Sequence, residues 1–138
     1  MKLRGESGQV AVLVLGFAIV VMAVVGLAVD GTKAFLYRRT LQSAADGAAV
    51  AGASELDLDS YYSSGGRVVA IAPGAARLQA LRLLDSRAIR TTVAVDATED
   101  AVSVVIRGRV ETTFLNLVGV SAIPVAVEAV AEPFAGES

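Results

Sequence analysis

The stretch from Val10 to Val29 reads VAVLVLGFAIVVMAVVGLAV, twenty residues without a charged or strongly polar side chain. As a helix rising 1.5 Å per residue it covers about 30 Å, the hydrocarbon thickness of one bilayer. A soluble fold of this size has no core able to bury such a helix on all sides, so the run predicts a single transmembrane span. A secretory signal has an apolar region of about 7 to 15 residues followed by a small-x-small cleavage site. The run here is longer, and Leu27-Ala28-Val29-Asp30 offers no such site. Ala49-Val50-Ala51 has the form but lies well beyond the run. Lys2 and Arg4 precede the span against Glu6 alone, which predicts a cytoplasmic tail over residues 1–9 and an extracytoplasmic C-terminal part. Lys33, Arg38 and Arg39 beyond the span oppose this orientation, but Asp30 offsets one of them and the arginines lie more than two turns past the boundary.

With the span set aside, 138 residues leave one small domain. Hydrophobic residues make up 54% of the chain and mean hydropathy is +0.62. There is no histidine, cysteine or tryptophan. That removes imidazole bases, thiolate nucleophiles, Cys/His metal sites and disulfides, and no serine or threonine has a recognisable base beside it. The expectation is a protein that is not an enzyme, with no cofactor, no metal and no evident small-molecule substrate. Net charge is −2, and residues 54–138 carry seven basic against eleven acidic side chains, so no basic field exists to hold nucleic acid.

No proline or loop cluster interrupts the chain from Val10 to Ala53, which predicts that the helix continues out of the membrane through 30–53. Alternating steps of three and four from Leu13 meet Gly16, Val20, Ala23, Leu27, Asp30, Ala34, Tyr37, Leu41, Ala44, Ala48 and Ala51, all apolar or small except Asp30. A stripe kept in register from lipid into water implies a partner along its length. Small residues permit close helix approach, and Gly47 and Gly52 each cost about 1 kcal/mol relative to alanine, a cost that close packing would offset. The predicted assembly interface is therefore Gly16, Ala23, Asp30, Ala34, Tyr37, Leu41, Ala44, Ala48 and Ala51, together with Gln42 and Asp46, which share a face four residues apart. Asp30, at the boundary, either bonds to a partner group such as a basic side chain of an adjacent helix or is a carboxylate in head-group water, with Lys33 one turn on available to pair with it.

Residues 54–74 are expected to form a loop. Asp57 and Asp59 do not begin a calcium loop, because Tyr62 and Val68 stand where glycine and glutamate are needed. Tyr61 and Tyr62 are equally a core lid or a contact surface. Pro73-Gly74 opens a short helix to about Arg87, with Leu78, Leu81, Leu84 and Ala88 on its apolar side and Arg77, Arg82 and Arg87 outside. Alternation then predicts strands over Thr91 to Asp96 and Val102 to Glu111, joined at Thr98-Glu99-Asp100, with Val93 and Val95 facing Val102, Val104 and Ile106. TTFLNLVG, Thr112 to Gly119, predicts a short helical turn, and Ile123, Val125, Val127, Ala129 and Ala131 a third strand. The fold class is α+β, a long N-terminal transmembrane helix followed by one short helix on a three-stranded antiparallel sheet in 75–138. Such a layer of about 65 residues is marginal alone and would lean on the long helix or a neighbour.

Gly8-Gln9 before the span, Asp30-Gly31 at its end, then Arg39-Thr40-Leu41-Gln42, Ala44-Ala45-Asp46 and Ala48-Ala49-Val50-Ala51-Gly52-Ala53 follow in fixed order. In these the chain resembles the Tad (tight adherence) Flp-pilus assembly proteins of the TadE/TadG-like group, over about the first 55 residues. The pilin-type processing site, a glycine followed by a glutamate five positions on, is not met: Val10 follows Gly5 and Leu13 follows Gly8 at that spacing. The resemblance therefore leans to the TadG-like, membrane-retained type. It implies a single-pass component of type IVc-like pilus assembly or a related secretion apparatus in the cytoplasmic membrane, partnered by pilin-like or platform subunits or by its own kind. A minor pseudopilin carried in the surface fibre is one alternative. The other is a membrane-tethered sensor or ligand-binding module using the 55–74 loop as its pocket.

Overall fold

A computed structural model describes residues 6–89 and 91–134; Lys2, Arg4 and Gly5, which bear on orientation and processing, lie outside the described residues. Helix α1 runs unbroken from Glu6 to Ala53, 48 residues or about 72 Å, as expected for a segment with no proline. After it come α2 (Leu58–Ser63), α3 (Pro73–Ser86), β1 (Thr92–Ala97), β2 (Val102–Glu111), a 3-10 turn (Leu115–Val118) and β3 (Ala122–Ala131). The strands form one antiparallel sheet in the order β1-β2-β3. The chain is thus α+β, with a long apolar N-terminal helix and a three-stranded sheet. The β1–β2 register pairs Val93 with Ile106 and Val95 with Val104, as the alternation predicts.

The chain groups into two compact units. One holds α1 as far as Phe35 together with Val110–Ile123; the other holds Leu36–Arg109 and the residues from Pro124. Residues 110–123, assigned on sequence grounds to 75–138, thus group with the apolar half of α1.

The second unit is built on the alanine-rich half of α1. Leu41, Ala44, Ala45, Ala48 and Ala49 are buried, as are Ala76, Ala80 and Leu84 of α3, Val102, Val104 and Ile106 of β2, and Val125, Val127 and Ala129 of β3. A Cβ on Gly52 would lie 3.0 Å from the Ala76 carbonyl oxygen and 3.1 Å from Val102 Cγ1, so the missing side chain is what lets α1, α3 and β2 meet. An arginine from the end of α3 fastens the contact: Arg87 donates from Nη1 to the Ser43 carbonyl at 3.1 Å.

Two local readings change. The packed face of α3 is Ala76, Ala80 and Leu84, whereas Leu78 and Leu81 are exposed and Ala88 lies beyond the helix with φ 54°. Alanines at i and i+4 take the closest positions because Gly52 of α1 approaches the Ala76 backbone, and Leu84 at i+8 continues the same face. The 54–74 segment is not all loop. Asp57 caps α2, accepting the Asp59 and Ser60 N–H groups at 3.1 and 3.2 Å and the Ser60 hydroxyl at 2.8 Å. The Ser60 hydroxyl, then the two N–H donors, hold the Asp57 carboxyl below the ordinary carboxylate range. Its oxygens are thereby engaged in capping.

Candidate functional site

The first unit contains the arrangement with the most specific polar geometry. Between the end of β2 at Glu111 and the start of β3 at Ala122, the chain turns through Thr112–Ser121. The neck is closed by Thr112, whose N–H donates to the Ser121 carbonyl at 3.1 Å and whose hydroxyl donates to the Val120 carbonyl. Inside it, Leu117, Gly119 and Val120 donate their N–H groups to the carbonyls of Phe114, Asn116 and Leu115 at 3.0 to 3.1 Å. Gly119 has φ 91°, a left-handed conformation that ends the 3-10 turn and favours glycine.

The N-terminal side of this turn leaves N–H groups with no local acceptor. Asp30 supplies one. The N–H of Thr113 donates to Oδ1 at 2.9 Å, and those of Phe114 and Leu115 donate to Oδ2 at 2.9 and 2.8 Å. The Asp30 side chain is 1% exposed, so these bonds are made largely without competing water. Burial pushes its carboxyl upward, but the N–H donors of Leu115, Thr113 and Phe114, with the charge of Lys33, outweigh that and hold it below the ordinary carboxylate range. Lys33 itself donates from Nζ to the Thr113 hydroxyl at 2.6 Å. The predicted boundary aspartate thus takes its hydrogen bonds from backbone N–H groups rather than from Lys33. It clasps the β2–β3 turn of its own chain.

One turn further down, Gly26 is buried against Phe114: a Cβ there would lie 2.6 Å from the Phe114 Cβ, too close for any side chain. Below that an apolar cleft runs along α1 from Leu27 to Ile19, and Leu117 and Val118 form its other wall. Leu117 is 83% and Val118 76% exposed. Except at Gly26, residues 10–29 of α1 are exposed throughout.

The predicted interface residues divide into three groups. Gly16 and Ala23 are exposed on the apolar half of α1, and Ala34 is half-buried. Asp30 is occupied as described. Higher up, Leu41, Ala44 and Ala48 are buried in the core of the second unit, Ala51 is half-buried, and Tyr37 covers Gly108, where a Cβ would meet its hydroxyl at 2.5 Å. Gln42 donates from Nε2 to Asp46 Oδ1 at 2.9 Å and to the Glu128 carbonyl at 3.0 Å, so this pair too is engaged within the chain. The close packing that Gly47 and Gly52 imply is present here, but between α1 and its own α3 and sheet. Gly26, Phe114, Leu117 and Val118 were not among the expected residues; for the last three the signal was the absence of charge between Glu111 and Glu128.

Among the described residues no group of three or more histidine, cysteine, aspartate or glutamate side chains could hold a metal ion. A shallow cleft in the second unit lies at Tyr37, Arg107, Arg109 and Pro124. What the boundary site can do chemically is accept and hold backbone donors.

Helix Gly8–Ala53 is long and apolar enough to cross a membrane, its most apolar window having a mean hydropathy of 3.0. Residues 8–55 match the family model described as Tad, putative Flp pilus-assembly TadE/G-like, a match that ends just past α1. Neither the curated proteins nor the solved structures contain a significant match to the chain. Tad pilus-assembly proteins are in general structural rather than enzymatic, and their work involves other pilus components. Over residues 8–55, about a third of its length, the chain is therefore similar to the Tad family of TadE/G-like proteins, a family described by Flp pilus assembly.

Proposed function

We propose that this protein is a non-enzymatic, single-pass component of the Tad/Flp pilus-assembly apparatus, retained in the cytoplasmic membrane with residues 1–9 inside, 10–29 spanning and the domain that follows Asp30 on the extracytoplasmic side. Its apolar helix packs against other pilin-like or platform subunits or a second copy. The observation that carries this reading is the exposed, charge-free half of α1 within a segment that matches the Tad family. Because Leu41, Ala44 and Ala48 are used by the chain's own core, the partner-facing part of the stripe is its lower portion, centred on Gly16 and Ala23. Small residues at these positions allow a second helix to approach closely in lipid.

Single cysteines at Gly16 and Ala23 test this directly, since the chain has no cysteine of its own. In native membranes, oxidative cross-linking from both positions should join the protein to a subunit of the pilus apparatus or to a second copy, with less coupling from a Phe17→Cys control on a neighbouring face. Equal, background coupling from all three positions would overturn the packing reading. The unbroken α1 also favours a second reading, a minor pseudopilin in the fibre. Mass spectrometry of the native protein separates the two: an intact amino terminus supports membrane retention, and a trimmed one supports the fibre.

A further inference from the structure

Taking residues 10–29 as the span, we infer that the β2–β3 turn is a second membrane element, dipping into the outer leaflet beside α1 with its apolar side chains among the lipid acyl chains. The position of the turn along the helix carries this. Phe114 lies against Gly26, four residues below the boundary aspartate, which at 1.5 Å per residue is about 6 Å into the span. The cleft walled by Leu117 and Val118 continues down to Ile19, about 16 Å below Asp30 along α1. These levels of α1 lie within the hydrocarbon layer, so the turn beside them does too.

The composition of the turn fits that environment. No charged residue occurs between Glu111 and Glu128, and Leu117, Val118, Val120 and Phe114 are exposed together, an apolar surface that water would disfavour. Asn116 is the one amide side chain in the turn.

Backbone polarity, the usual obstacle to placing an irregular segment in lipid, is largely resolved internally. The N–H groups of Thr113, Phe114 and Leu115 go to the Asp30 carboxylate, and those of Leu117, Gly119 and Val120 to carbonyls within the turn. Asp30 therefore does two things at once. It fastens the turn to the helix, and it satisfies the donors that hydrocarbon could not. Lys33, bonded to the Thr113 hydroxyl just above, places its ammonium where a lysine at the edge of a span reaches the headgroups.

The chain has neither cysteine nor tryptophan, so single-cysteine variants carrying an environment-sensitive nitrobenzoxadiazole label report one position each. The full-length protein is reconstituted into phosphatidylcholine–phosphatidylglycerol vesicles containing nitroxide lipids, with labels at Phe17→Cys in the span, Leu117→Cys and Val118→Cys in the turn, and Leu78→Cys on α3. The expected result is strong quenching at Phe17, Leu117 and Val118, with blue-shifted emission, and none at Leu78. Quenching at Phe17 but not at Leu117 or Val118 would overturn the insertion of the turn while leaving the span intact. Blue-shifted but unquenched emission from the turn would likewise overturn it, because a protein surface, a second copy included, would then cover the patch. An unquenched Phe17 would overturn the span reading and this inference together.

Discussion

The two halves of α1 are made from nearly the same small and apolar alphabet, yet they meet opposite surroundings. Between Val10 and Val29 every residue but Gly26 is exposed; between Leu41 and Ala53 one face of the helix is sealed beneath α3 and the sheet. The difference lies in side-chain size and in spacing. Large residues all round the lower half suit a solvent of acyl chains, whereas alanine and glycine at Ala44, Ala45, Ala48, Ala49 and Gly52 let backbone approach backbone, so that a small domain is stabilised by leaning on a helix it did not have to build separately. A stripe of small residues states that something approaches closely. It does not state whose atoms approach.

The largest contrast should come from adding the same side chain to each half. Ala48→Leu, at a position with no exposure, should destabilise the outer unit by about 1–3 kcal/mol through overpacking. Ala23→Leu should stay within about 0.5 kcal/mol. Thermal unfolding of the detergent-solubilised protein compares them, and equal effects would erase the distinction between the halves. A narrower contrast lies within the lower half. Gly26→Leu has no room beside Phe114 and should loosen the turn, raising amide exchange at Thr113, Phe114 and Leu115 by about tenfold or more, the equivalent of roughly 1.4 kcal/mol or more. Gly16→Leu, with nothing within 4 Å, should leave those amides unchanged.

The smallest effect is that of pH on the clasp. Because the Asp30 carboxyl sits below its ordinary value in the folded chain, its contribution is complete above about 3.9 and fades as pH falls through the lowered value. Exchange at the same three amides, corrected for intrinsic rates, should be flat from pH 8 to about 5 and rise only in stronger acid. A rise near neutrality would mean that the carboxylate is not held by these donors.

Much of this fold was open to reading from residue order. Strand β2 occupies Val102–Glu111 because valine and isoleucine alternate there, and the turn closes at Gly119 because only glycine suits the left-handed end. Three things were not legible. The stripe on α1 showed which face is covered, but periodicity is blind to the covering surface, so Leu41, Ala44 and Ala48 read as awaiting another chain. Helix α2 hid behind an unpatterned ELDLDSYYSS, although Asp57 with Ser60 three residues on was a capping signal that could have been used. The clasp left no trace at all at the far end, since its donors are backbone N–H groups, which every residue but proline carries.

Asp30 and its three donors are separated by 83 to 85 residues. A ribosome therefore delivers the helix long before the turn that completes it. Until the turn has been made the Asp30 carboxylate has none of these donors, and the finished strands must then return to a helix made well before them. Assembly of the boundary is thus a late event, timed by chain length.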